Sequence, residues 1–115
     1  HRQPVAVAFS RDGKRLFAAH EFTRKVFVHD VDGAKRPAEF TGHGDKPVWA
    51  LAVSPDGRRV ASGDDAGTVL VWDADTLAVQ RTARLRPPHG GVRAVHWAPD
   101  GRHLLTGNAD GTVYV

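Results

Sequence analysis

Histidines, carboxylates and a run of arginines are the side chains of this 115-residue chain that could do chemistry. Its 7 histidines are scattered, and no two stand at metal-ligand spacing on one strand. His20-Glu21 and His29-Asp30 are neighbours within strand-like runs, so each pair divides between opposite faces, a poor start for an acid–base dyad. There is no phosphate-binding glycine loop, no serine nucleophile elbow and no zinc-protease helix. No catalytic, metal-binding or cofactor-binding residue is therefore assigned. The stretch from Gln80 to Arg86 carries Arg81, Arg84 and Arg86, with His89 and Arg93 close by, and could meet phosphates. It lacks the interleaved aromatics that stack on bases, and charge on an outer strand discourages sheets from pairing edge to edge. Nucleic acid is not expected as a partner.

Composition narrows the class further. Lysines and arginines number 16 against 13 acidic residues, giving an interspersed net charge of +3 that is too mild to imply a polyanionic partner. No apolar run approaches the roughly 20 residues of a membrane helix, so no membrane contact is expected. Cysteine is absent, which excludes disulfides and thiolate metal sites and is compatible with the cytosol.

The elements that must position the polar residues are short strands. Val48-Trp49-Ala50-Leu51-Ala52-Val53 is followed by the turn Ser54-Pro55-Asp56-Gly57, a second run to Gly63, a turn at Asp65-Ala66-Gly67, and Thr68-Val69-Leu70-Val71-Trp72-Asp73. Proline pre-sets its turn dihedral, aspartate bonds back to its own backbone, and glycine accepts positive φ. A fourth strand is expected around Ala78 to Leu85. Shifting the chain by forty-four residues superimposes this pattern on itself. Val48, Ala50, Pro55, Asp56, Gly57, Arg58, Gly63, Gly67, Thr68, Val69 and Val71 all recur between Val92 and Val115. An upstream copy keeps Ala6, Ala8, Ser10, Asp12 and Gly13, with Arg11 in place of proline. A repeat of this length made of strands and turns predicts a propeller blade or a similar stacked sheet.

Gly42-His43, Ser54-Pro55-Asp56-Gly57, Ser62-Gly63 and Trp72-Asp73 together resemble one WD-repeat (tryptophan–aspartate) blade, and the resemblance covers nearly three consecutive units. It implies an all-β β-propeller segment of about three four-stranded antiparallel blades, the last incomplete. The expected units are a degenerate first blade at 1–41, a complete middle blade at 42–86 and a third at 87–115, cut short in its third strand. The chain closes on Thr112-Val113-Tyr114-Val115, one residue before the tryptophan–aspartate pair its repeat calls for, and reads as an excerpt of a longer protein. Alanines alternating with larger residues in Val5-Ala6-Val7-Ala8-Phe9 and Trp49-Ala50-Leu51-Ala52-Val53 mark the innermost strands, where neighbouring blades converge. In the third copy His96 interrupts that alternation and is expected to face the channel or a neighbouring blade.

The resemblance also implies a structural hydrogen-bond network joining a loop histidine, a strand serine or threonine, a turn aspartate and the tryptophan. In the middle unit it maps onto His43, Ser62 and Trp72. Ala66 stands where the aspartate belongs, with Asp65 one place early. In the third unit it maps onto His89, Thr106 and Asp110. Partner contact is expected from a protein or peptide at loop ends on one face. The candidates are Trp49, its equivalents Val5 and Arg93, and the rim residues Asp64, Asp65, Asn108, Ala109 and His20. The function implied is a non-catalytic interaction scaffold. Two alternatives stand beside it: a sensing propeller fused to a catalytic module, and open blade edges that pair with other copies or with the rest of a longer chain.

Overall fold

A computed structural model describes residues 4–11, 13–20, 25–31, 38–44, 46–84, 91–101, 103–108 and 113–114. All regular elements among these residues are strands. The first sheet holds β1 (Pro4–Phe9), β2 (Arg15–His20), β3 (Val26–Asp30) and β4 (Ala38–Phe40). The second holds β5 (Val48–Val53), β6 (Arg59–Asp64), β7 (Thr68–Asp73) and β8 (Val79–Arg84). The third holds β9 (Val92–Trp97), β10 (Leu104–Asn108) and β11 (Val113–Tyr114). Every hydrogen-bonded pair is antiparallel and joins consecutive strands.

The turns behave as their chemistry dictates. Gly57 adopts φ of 75°, and its amide closes the turn onto the Ser54 carbonyl at 2.9 Å. Asp56 accepts from the Ser54 hydroxyl at 2.6 Å and from the Arg58 amide at 2.9 Å. The Ser54 bond leads, and the amide bond adds to it, in holding the Asp56 carboxyl below its usual pKa.

Two apolar clusters cement the sheets. Phe17, Ala19, Val26, Val28 and Phe40 of the first sheet pack on Val48, Val60, Leu70 and Trp72 of the second. Ala50, Ala61, Val69 and Val71 of the second pack on Val92 and Val95 of the third. β1 lies along β5, and β5 along β9, so the alanine-rich strands are the ones that converge. Room there is scarce: a methyl group added to Gly63 would overlap the Val92 side chain.

Candidate functional site

Each innermost strand carries the same irregularity at the same end. Val48 pairs with Asp64 and Ala50 with Gly63, so Trp49 is an extra residue facing a single step of β6. In the first sheet Val5 is extra between the pairs Pro4–His20 and Ala6–Ala19. In the third sheet Arg93 is extra between Val92–Asn108 and Ala94–Gly107. A bulge of this kind bends its strand and re-aims a side chain. The three positions that the repeat alignment makes equivalent are therefore equivalent in backbone pairing too, at one end of the hub.

Around the middle bulge the side chains form a small exposed assembly. The half-buried Trp49 donates its indole N–H to Asp65 Oδ1 at 3.2 Å. The Asp65 amide donates to the Pro47 carbonyl at 3.0 Å, which fixes the turn beneath it. Gly91 is buried against Asp65, and a Cβ there would stand 3.1 Å from the Asp65 Cα, so the chain entering β9 runs directly beside this turn. The side chains of Val5, His20, Arg93 and Asn108 lie outside the described residues, as do Ala109 and Asp110 as a whole. His96 is exposed.

Behind that rim lies a buried polar chain. Trp72 Nε1 donates to Ser62 Oγ at 3.0 Å, and Ser62 Oγ stands 2.6 Å from His43 Nε2. His43 Nδ1 stands 2.8 Å from Asp64 Oδ2. One assignment satisfies every group: the indole donates to the serine, the serine hydroxyl to Nε2, and Nδ1–H to the carboxylate. The aspartate of this network is thus Asp64, which was expected on the rim. Asp65, the expected candidate, faces solvent instead. The reason is local. Asp64 ends β6 with its side chain turned inward, and its other oxygen accepts from the Ala66 and Thr68 amides, both at 2.9 Å. It therefore caps the turn from its first position, and Ala66 contributes its amide without needing a polar side chain. Burial pushes the Asp64 carboxyl upward, but the His43 bond and the two amides outweigh it and leave its pKa below the usual value.

Aromatic packing ties this chain to the first sheet. Trp72 is fully buried, stacked on Phe40 with ring centroids 4.1 Å apart and met edge-on by Phe17 at 5.7 Å. The Phe40 ring meets His43 edge-on at 6.1 Å. A Cβ on Gly42 would run into the tip of the Phe40 ring, so a larger residue before His43 would have to push that ring off its stack on Trp72. In the third sheet Thr106 occupies the place of Ser62, but its buried Oγ1 has no hydrogen-bond partner among the described residues. His89 lies outside them.

The buried chain includes a histidine, a serine and an aspartate, yet it cannot act as a nucleophilic triad. Ser62 is fully buried, and its hydroxyl lies between an indole and an imidazole with no approach for a substrate. Among the described residues no group of three or more potential metal ligands gathers.

Comparison with known proteins agrees with the architecture. The family described as WD domain, G-beta repeat matches residues 34–73 and 80–115. The chain is 30% identical over 117 residues to Protein LST8 homolog of Drosophila melanogaster, covering 97% of this chain and 37% of that protein. It is 31% identical over 116 residues to WD repeat, SAM and U-box domain-containing protein 1 of Danio rerio, covering 98% of this chain and 23% of the relative. The solved structure of U3-55K superimposes with a TM-score of 0.85 at 19% identity, over 98% of this chain and 35% of that one. The chain thus spans a minor part of the proteins it resembles. It belongs to the WD-repeat β-propeller family, whose members generally act as scaffolds for protein–protein interaction.

Proposed function

We propose that this chain is a non-catalytic docking platform that takes a protein or peptide at the hub end marked by its three bulges. The observation that carries the reading is the Trp49–Asp65 pair. A half-buried indole and an exposed carboxylate are held together on a bulge, above a network that fixes the turn bearing the carboxylate. A large ring that keeps part of its surface in solvent supplies binding area at little entropic cost, and tryptophan is enriched among residues that dominate binding energy. The same bulge recurs in the backbone pairing at Val5 and Arg93, the equivalent positions of the neighbouring sheets, which supports reading this end as the docking one. Rigidity comes from the strands and variety from the bulged residues.

The test is to select peptides from a displayed library against the immobilised chain, then measure their affinity for variants. Trp49→Ala is expected to weaken binding by about tenfold or more, the scale of an interface hot spot, with Asp65→Ala giving a smaller loss. Thr76→Ala, at the opposite end of the hub, is expected to leave affinity unchanged. Selected peptides that bind all three variants as they bind the parent would refute the assignment of the docking end.

A further inference from the structure

Carboxylates on the turns of this chain are mostly consumed by the turns themselves. Asp56 accepts from the Ser54 hydroxyl and the Arg58 amide, Asp73 from the Asp75 and Thr76 amides, and Asp64 is bonded on both oxygens. Others meet a basic side chain: Asp75 meets Arg15, Glu39 meets Lys25 and Asp100 meets His103. Asp65 does neither. Its side chain is exposed, takes one bond on Oδ1 from the Trp49 indole, and has no ion pair among the described residues.

The fold does not require this pair. The forty-four-residue shift puts Val5 and Glu21 at the same two places in the first unit, and Arg93 and Ala109 in the third. One unit has an acid without a ring, the other a cation without an acid. Yet β1–β2 and β9–β10 form the same bulged ladder as β5–β6. A ring bonded to a carboxylate is thus particular to the middle sheet, where β5 has β1 on one side and β9 on the other. Side chains that a repeat can exchange without altering its backbone are available for binding.

The chemistry of the pair selects its ligand. An indole N–H lies in the plane of its ring, so the carboxylate stands at the ring's edge and the negative charge adjoins the π face. Both attract a cation. Guanidinium suits them better than ammonium, being planar, able to stack on an indole and furnished with several N–H donors along its edges. The chain makes such a contact internally, where Arg59 lies over the Trp97 ring while donating to the Gly101 carbonyl. We infer that Trp49 and Asp65 take an arginine side chain of the docked protein or peptide, its guanidinium stacked on the indole and bonded to the carboxylate. This rests on the docking reading above and adds the residue type that the partner presents.

The selected peptides test the two readings separately. Arginine is expected at one fixed position of peptides selected on the wild-type chain. Replacing it by citrulline, neutral and of nearly the same shape, is expected to weaken binding about tenfold, with lysine between the two. Against Asp65→Asn the citrulline penalty should fall to about threefold, since the ring attraction remains and the ion pair is gone. Should Asp65→Asn misfold, Asp65→Ser takes its place. Added salt should weaken binding to the wild type more than to the Asp65 variant. Peptides that need Trp49 but carry no fixed arginine, or whose citrulline form binds equally well, would overturn this inference and leave the docking end standing. An equal citrulline penalty on the wild type and the Asp65 variant would also overturn it. Peptides indifferent to Trp49→Ala would remove both readings.

Discussion

Arg15 and Arg59 open the second strands of consecutive sheets, and each guanidinium crosses to a turn of the following sheet. Arg15 donates to the Ala74 carbonyl at 2.7 Å and to Asp75 Oδ1 at 2.6 Å. Arg59 donates to the Gly101 carbonyl at 2.8 Å and lies over the Trp97 ring at 5.1 Å. The repeat thus carries its own cross-sheet clamp at the end of the hub opposite the bulges.

Arg59→Ala is expected to cost about 1–3 kcal/mol, because it removes a charged hydrogen bond and a cation–π interaction at once. Arg59→Lys should recover only part of this, since a point charge cannot both stack on Trp97 and reach Gly101. Asp75→Ala, by contrast, removes an exposed partner and should cost under about 1 kcal/mol. Urea unfolding at constant m-value measures all three.

Trp72→Phe separates the ring from its donor. Stacking on Phe40 is kept while the Ser62 hydroxyl loses a hydrogen bond, so a destabilisation of about 1–3 kcal/mol is expected. Trp72→Ala opens a cavity between two sheets and should cost about 3–5 kcal/mol. Chemical denaturation of both variants gives the split.

Ser62 and Thr106 stand at one repeat position, yet their removal should act with opposite sign. Ser62→Ala strands Trp72 Nε1 and His43 Nε2 in a buried site, at about 1–3 kcal/mol. Thr106→Val replaces a buried hydroxyl that has no partner among the described residues, and is expected to be neutral or stabilising. Thermal unfolding of the two side by side decides the matter; equal destabilisation would contradict the difference between the sheets.

Asp64 makes stability depend on acid. Its folded pKa lies below the ordinary value of 3.8, so the unfolded chain takes up the proton first as pH falls. The contribution is fully present above that ordinary value and is lost as pH drops through the folded one. Asp64→Asn should therefore be less stable than wild type at neutral pH, and the gap should shrink toward strongly acidic pH. Urea midpoints taken from pH about 6 down to about 2 follow that window.

Much of the architecture was legible because it rests on local chemistry stated more than once. The Pro55-Asp56-Gly57 and Pro99-Asp100-Gly101 turns, and the alanines flanking Leu51, declare strand length, turn position and crowded face without reference to distant residues. The role of Asp64 was not legible. Residues 64, 65 and 66 differ by one step each, and which of them faces inward depends on where β6 ends and how the turn closes. That is fixed by the pairing of Val48 with Asp64 and by the reach to His43, both long-range. The bulges were equally hidden, since an extra residue in a strand leaves no mark on the alternation of a six-residue run.

Because among the described residues strands bond only to sequence neighbours within each sheet, the fold resembles a row of modules coupled at their walls. Cooperativity in such a row is a nearest-neighbour property, and opening one module is felt mainly by the one beside it. The middle module packs against a neighbour on each side, so its amides in β6 should exchange with deuterium late. Those of β4 and β8, at the periphery, should exchange first. A graded melting of this kind would let the chain release an outer strand transiently while the turn bearing Asp65 keeps its shape.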